Sequence, residues 1–207
     1  EAVGADTRIV VFEDDFQTNK GWTVTGNAFA GAWERGVPVG GGDRGDPPAD
    51  YDGSGACYLT GNTDGDSDVD GGTTFLVSPT IDLSTVADAR ISYARWYHNS
   101  FGGAPFSDSM LVWVSDNNGA SYTLVEVVGS EDQAAGGWFT NSFWVSDFVI
   151  PTAQVKVRFE VGDLGSGSVV EAGVDAFAVE AFECSSDIFV ITTDSLPDWT
   201  AGFAYSQ

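Results

Sequence analysis

Histidine is all but missing from this chain, basic side chains are scarce, and long apolar runs are lacking. The single histidine is His98, so the zinc signature HExxH cannot be written, and a Ser-His-Asp triad would have to be built on that one residue. His98 sits in the aromatic run Trp96-Tyr97-His98, and no G-x-S-x-G nucleophile turn stands near it. Glycine-rich phosphate loops are missing too. The 8 Lys+Arg are set against 31 Asp+Glu, a formal net charge of -23. Such a surface repels nucleic acid phosphates and anionic lipid, so neither is expected as a partner. No apolar stretch is long enough to insert into a bilayer, and no basic-then-apolar signal peptide opens the chain. A secreted form is expected to have lost its signal already.

Cysteine is nearly absent as well. Cys57 and Cys184 lie too far apart in sequence for a zinc or redox motif. A Cys57–Cys184 disulfide would constrain the unfolded chain by roughly 4–5 kcal/mol on the loop-entropy model. Two buried thiols are the alternative.

What is present points to a folded β-protein. Hydrophobic residues make up 43% and aromatics 13% of the chain, enough for a core and too many for disorder. Strand-like alternation recurs along the chain, and no long helical period appears. Between Arg90 and His98, the residues Ile91, Tyr93, Arg95 and Tyr97 share one face. Met110–Ser115 and Ser121–Val128 flank Asp116-Asn117-Asn118-Gly119, which predicts a hairpin whose Asn-Gly takes positive φ. Further strands are predicted at Arg8–Phe12, Trp22–Thr25, Phe29–Arg35, Ala56–Thr60, Thr73–Val77, Trp138–Val145, Gln154–Val161 and Gly173–Phe182. Many short strands at this spacing mean an all-β sandwich or jelly roll; the fold expected for the chain is a two-sheet antiparallel jelly-roll sandwich. Four stretches read as long loops: Gly36–Asp52, Asn62–Gly72, Asn99–Ser109 and Gly162–Glu171. Composition shifts after Cys184, which divides the chain into a domain at 1–184 and a linker with a short C-terminal strand extension at 185–207.

Several motifs resemble known families. FEDDF at Phe12–Phe16, Gly21-Trp22, WERG at Trp33–Gly36, GACYLTGN at Gly55–Asn62, LVSPTIDLS at Leu76–Ser84, VRFEVGD at Val157–Asp163 and EAGVDAF at Glu171–Phe177 follow in order. Together they resemble the MAM-like, concanavalin-type jelly-roll modules of bacterial secreted metallopeptidases and surface proteins. The tail ITTDSLPDWTAGFAYSQ resembles the opening of an Ig-type repeat of large bacterial surface proteins.

The acidity has three readings: plain solubility, a saline habitat, or bound divalent metal. The loop from Asp64 to Gly72 favours metal, since Asp66, Asp68 and Asp70 alternate before Gly71, like the start of an EF-hand loop. Val77 stands where that motif needs Glu, so ligands must come from elsewhere. Dense hard oxygen donors suit Ca²⁺. The jelly-roll resemblance implies Glu13 and Asp15, Asp64 and Asp66, and Asp175 as ligands. Asp175 also stands out by itself, because it interrupts an apolar strand, where a lone buried carboxylate is costly. A solvent-facing Asp175, with Val174 and Ala176 pointing away, is the plain alternative.

Aromatic residues suggest a binding surface. Among strand aromatics, Trp33, Trp96 and Trp138 are candidates for stacking on sugar rings, and loop-borne Phe101 and Phe106 are better placed to meet a partner. Arg44-Gly45-Asp46 spells an integrin-type tripeptide, most simply by coincidence in a Gly/Asp-rich loop. Paired carboxylates such as Glu34 and Glu171 have nothing in the sequence to single them out for glycosidase work. The expectation is a non-catalytic extracellular accessory or adhesion module, stabilised by Ca²⁺, meeting an extracellular glycan or protein, or copies of itself. Its rivals are a carbohydrate-binding module of a secreted hydrolase and a filament subunit joined by strand addition.

Overall fold

The computed structural model describes residues 7–129, 131–165 and 167–183. Their strands are β1 (Thr7–Asp14), β2 (Thr23–Gly26), β3 (Trp33–Gly36), β4 (Cys57–Thr60), β5 (Gly72–Val77), β6 (Arg90–Gly102), β7 (Met110–Ser115), β8 (Thr123–Val128), β9 (Ala135–Trp144), β10 (Lys156–Asp163) and β11 (Ser168–Glu183). One 3-10 turn, Val145–Asp147, is the sole helical element among the described residues. The first sheet runs β3-β4-β11-β6-β9, with β1 also paired to β11; the second runs β2-β5-β10-β7-β8. All these pairs are antiparallel, so the chain is an all-β two-sheet sandwich.

Period-two alternation explains the core. Leu76, Val112, Val114, Val157, Phe159 and Val161 from the second sheet meet Ile91, Tyr93, Tyr97, Val174, Phe177 and Val179 from the first. Trp22 packs edge-on against Phe177 at 5.1 Å and against Phe16 at 5.3 Å. The predicted hairpin forms, with Asn118 at φ 60 and Gly119 at φ 87. A Cβ on Gly119 would also lie 2.8 Å from Tyr122 Oη.

Some boundaries differ from the sequence reading. The strand predicted at Phe29–Arg35 starts only at Trp33, because Gly31 takes φ 72 and turns the chain; Phe29 is 91% exposed. Two predicted loops, Asn99–Ser109 and Gly162–Glu171, are partly strand. Ladder pairing of Ser168 with Gly102 and of Asp163 with Gly72 draws polar residues into β6, β10 and β11. Cys184, and with it the Cys57–Cys184 pairing and the 185–207 extension, lies outside the described residues. Cys57 itself is buried on β4.

One feature of β11 positions the site. Its Gly173 and Val174 pair with β4, whereas its residues from Phe177 onward pair with β1. β1 and β4 therefore lie end to end along one edge of β11, and they meet at Asp175 and Ala176. A bulge falls there in the pairing with β6, and Ala176 takes φ 48.

Candidate metal centre and the loop above it

Asp175 lies on the face of β11 opposite Val174, as alternation dictates, yet it is fully buried. The end of the 36–52 loop covers it. One carboxylate oxygen accepts the N–H of Tyr51 at 2.8 Å and that of Asp52 at 3.4 Å; the other accepts the N–H of Ala176 at 2.8 Å. Burial pushes its pKa up to about 6, against the pull of those amides.

Oxygens of Asp50, Asp52 and Asp175 lie within 4.8 Å of one another. Two oxygens bound to one Ca²⁺ can be at most about 5 Å apart, twice a bond of 2.3–2.6 Å, so the three fit around a single ion. Each carboxylate keeps free lone pairs, since amide bonds use only part of its acceptor capacity. Asp50 also accepts the Gly55 N–H and Asp52 the Ser54 N–H, which fixes the turn that presents them. Cys57 adjoins the three; burial, and then their charge, hold its thiol protonated, leaving an all-oxygen donor set for a hard cation.

Two nominated acids stand nearby. Glu13 and Asp15, both exposed, line a cleft of about 350 Å³ with Asp52, Lys20 and Ala176. The Asp15 carbonyl accepts bonds from Ser54 Oγ and Gln17 Nε2. Between them, Asp14 is the buried acid of this run: it accepts the Phe16 N–H and the Trp22 indole N–H, each at 2.9 Å, and burial raises its pKa.

The Asp64–Asp70 loop is not brought to Asp175. Asp66 and Asp68 both meet the Arg44 guanidinium, at 2.9 and 2.6 Å; Asp64 and Asp70 are exposed. Asp68 is buried, and its pKa stays raised by burial although Arg44 opposes the shift. Next to it, Glu171 is fully buried on β11. It accepts hydroxyl bonds from Thr60 and Ser67, both at 2.7 Å, and burial lifts its pKa to about 8.

The 36–52 loop is clamped onto the first sheet. Trp96 donates its indole N–H to the Gly45 carbonyl at 2.7 Å, and Trp138 donates to the Ala49 carbonyl at 3.0 Å. Tyr51 packs edge-on against Trp138. In the Arg44-Gly45-Asp46 tripeptide, Gly45 and Asp46 are buried and Arg44 is turned to Asp68. Of the other aromatics nominated, Trp33 is in the core, Phe106 packs against the core's edge, and Phe101 is half exposed.

The sequence marks 36–52 as a long loop but does not single out Asp50 or Asp52 within it. Their signal was present only as acids in a Gly/Pro-rich stretch. That stretch had to fold back more than a hundred residues from β11 to matter.

No protein-family description matches the chain. No curated protein matches it either. Among solved structures, the K1 cleaved adhesin domain of Lys-gingipain from Porphyromonas gingivalis aligns with a TM-score of 0.54 and 16% identity, covering 84% of this chain and 98% of that one. The K2 cleaved adhesin domain of Lys-gingipain aligns at 0.49 with 15% identity, covering 86% and 99%. A CBM22-1 xylan-binding domain from Paenibacillus barcinonensis aligns at 0.46 with 13% identity, covering 86% and 97%. The first of these likenesses establishes the architecture: the chain has the β-sandwich fold of a cleaved adhesin domain.

Proposed function

We propose that this chain is a non-catalytic accessory or adhesion module of a larger secreted or surface protein, with a structural calcium ion locking its long loop. The observation that carries the calcium reading is the burial of Asp175 beneath Tyr51–Asp52, with oxygens of Asp50 and Asp52 within 4.8 Å. Like charges brought this close disfavour one another's ionised form, and a cation joining them removes that cost. All-oxygen donors, supplemented by carbonyls and water, favour Ca²⁺ over softer metals. A Mg²⁺ ion, with its shorter bonds and rigid octahedron, is less well matched to oxygens this far apart.

The module role draws on the likeness in fold to a domain named as an adhesin, and on the MAM-like motif order between residues 12 and 184. An extracellular glycan or protein, or another copy of the chain, is the corresponding partner. The composition shift after Cys184 supports a linker at 185–207, and the resemblance of the tail ITTDSLPDWTAGFAYSQ supports the start of an Ig-type unit there. A thermal melt in calcium, in EDTA, and in EDTA with excess magnesium tests the reading. A calcium-specific rise in Tm supports it; identical melts, with no calcium found by elemental analysis, overturn it.

A further inference from the structure

The 36–52 loop does more than cover Asp175, because it leaves a groove between itself and the exposed end of β6. Asp46 and Pro48 of the loop face Trp96, His98, Ser100 and Phe101 of β6 across a cavity of about 410 Å³. That volume lies inside the roughly 300–1,000 Å³ of small-ligand sites. Phe101 is 50% exposed, and its ring stands edge-on to His98 at 4.4 Å, which holds it upright at the rim. Trp96 is fixed by its bond to the Gly45 carbonyl, so both rings are set before any ligand arrives. Gly45 lies against the imidazole so closely that any Cβ there would collide with His98 Nδ1. The wall can pack this tightly only with glycine.

Polar atoms complete the lining. Asp46 spends its carboxylate on two long bonds, from the Gly42 and Arg44 amides at 3.4 Å, and keeps acceptor capacity for hydroxyl donors. Ser100 Oγ lies 2.8 Å from His98 Nε2 and can donate or accept. Burial lowers the pKa of His98, which disfavours the charged imidazolium. The groove thus offers apolar faces with hydrogen-bonding groups between them and no free cation in its lining. A ligand that matches must have an apolar face, several hydroxyls and no negative charge, since the chain carries -23. A pyranose ring of a neutral glycan has those properties; acidic or sulfated sugars do not.

We infer that the groove between the 36–52 loop and the β6 end is a binding subsite for a neutral glycan. The assignment rests on reading the chain as an accessory module, but it needs no metal. The test is retention of the full chain in native gels containing xylan, mixed-linkage β-glucan or galactomannan, with sulfated dextran as a charged comparison. At least one neutral polymer is expected to retard the protein, and Phe101→Ala should weaken that binding about tenfold or more. Leu124→Ala, an exposed position on the other sheet, should leave it unchanged, and melts of both variants establish that they fold. No retardation by any neutral polymer, or undiminished binding by folded Phe101→Ala, overturns the groove. Calcium-specific stabilisation without glycan retention would sink the groove alone. Phe101-dependent retention without a calcium effect would sink the metal reading alone.

Discussion

The backbone N–H of Tyr51 donates to the carboxylate of Asp175 at 2.8 Å, across 124 positions of sequence. With the longer bond from the Asp52 N–H, that contact joins the long loop to the strand that pairs with β1, β4 and β6. Anything that alters the charge on Asp175 therefore acts on the loop as well.

Calcium at about 100 times its Kd should stabilise the fold by about 2.7 kcal/mol, a rise of roughly 5–10 °C for a chain this size. Asp175→Asn and Asp50→Asn should abolish or strongly reduce that rise. Asp66→Asn should leave it intact, because Asp66 is exposed and meets only Arg44. Scanning calorimetry of the three variants with calcium and with EDTA decides between the two acidic groups. A rise that vanishes in Asp66→Asn and persists in Asp175→Asn would move the site to the 64–70 loop.

Without metal, stability should fall as pH rises. Burial lifts Asp175 from 3.8 to about 6 and Glu171 from 4.5 to about 8. Between each pair of values the folded chain keeps a proton that the unfolded chain has released, so both contributions are full at low pH and lost on the way up. Melts in EDTA should decline from about pH 4 to about pH 8. Glu171→Gln should flatten the upper part of that limb, and a decline unchanged by the substitution would count against the buried acid as its source. The gain from calcium should grow as pH rises through about 6, since the ion needs Asp175 ionised.

Arg44→Met should destabilise the chain by about 1–3 kcal/mol, because Asp68 is left buried without its partner. Adding Asp68→Asn to that variant should recover most of the loss. Urea titration of the single and double variants measures it. Additive losses would show that Arg44 and Asp68 act separately.

Trp138→Phe removes the donor to the Ala49 carbonyl while keeping a ring for Tyr51. The expected cost is about 1 kcal/mol, concentrated in faster hydrogen exchange of amides in residues 36–52. Exchange unchanged in that loop would mean that the clamp on Trp96 suffices.

The sheets were legible in the sequence wherever one face meets the core and the other does not. Val157, Phe159 and Val161 alternate with polar neighbours, and the Asn118-Gly119 turn announced its hairpin. Asp175 was legible for the same reason, as a carboxylate in an apolar run. Asp50 and Asp52 were not, because nothing local distinguishes them from the many other acids; only the fold-back of their loop gives them a buried partner. The pairing of Asp66 and Asp68 with Arg44 is not legible in the sequence either, since alternating acids look the same whether a metal ion or a guanidinium faces them. Trp96 and Trp138 read as stacking candidates, and their indole N–H groups turn out to hold the loop down.

The pairing of Thr7 with Glu183 has a mechanical consequence. Pulling these two residues apart would load the β1–β11 ladder one rung at a time from that pair inward, as a zip is opened, and such a geometry yields at low force. Opening would run toward Asp14 and Phe177, the last rung of the ladder. Just beyond that rung lies the acidic cluster, so a bound ion would act as the stop at which the zip catches.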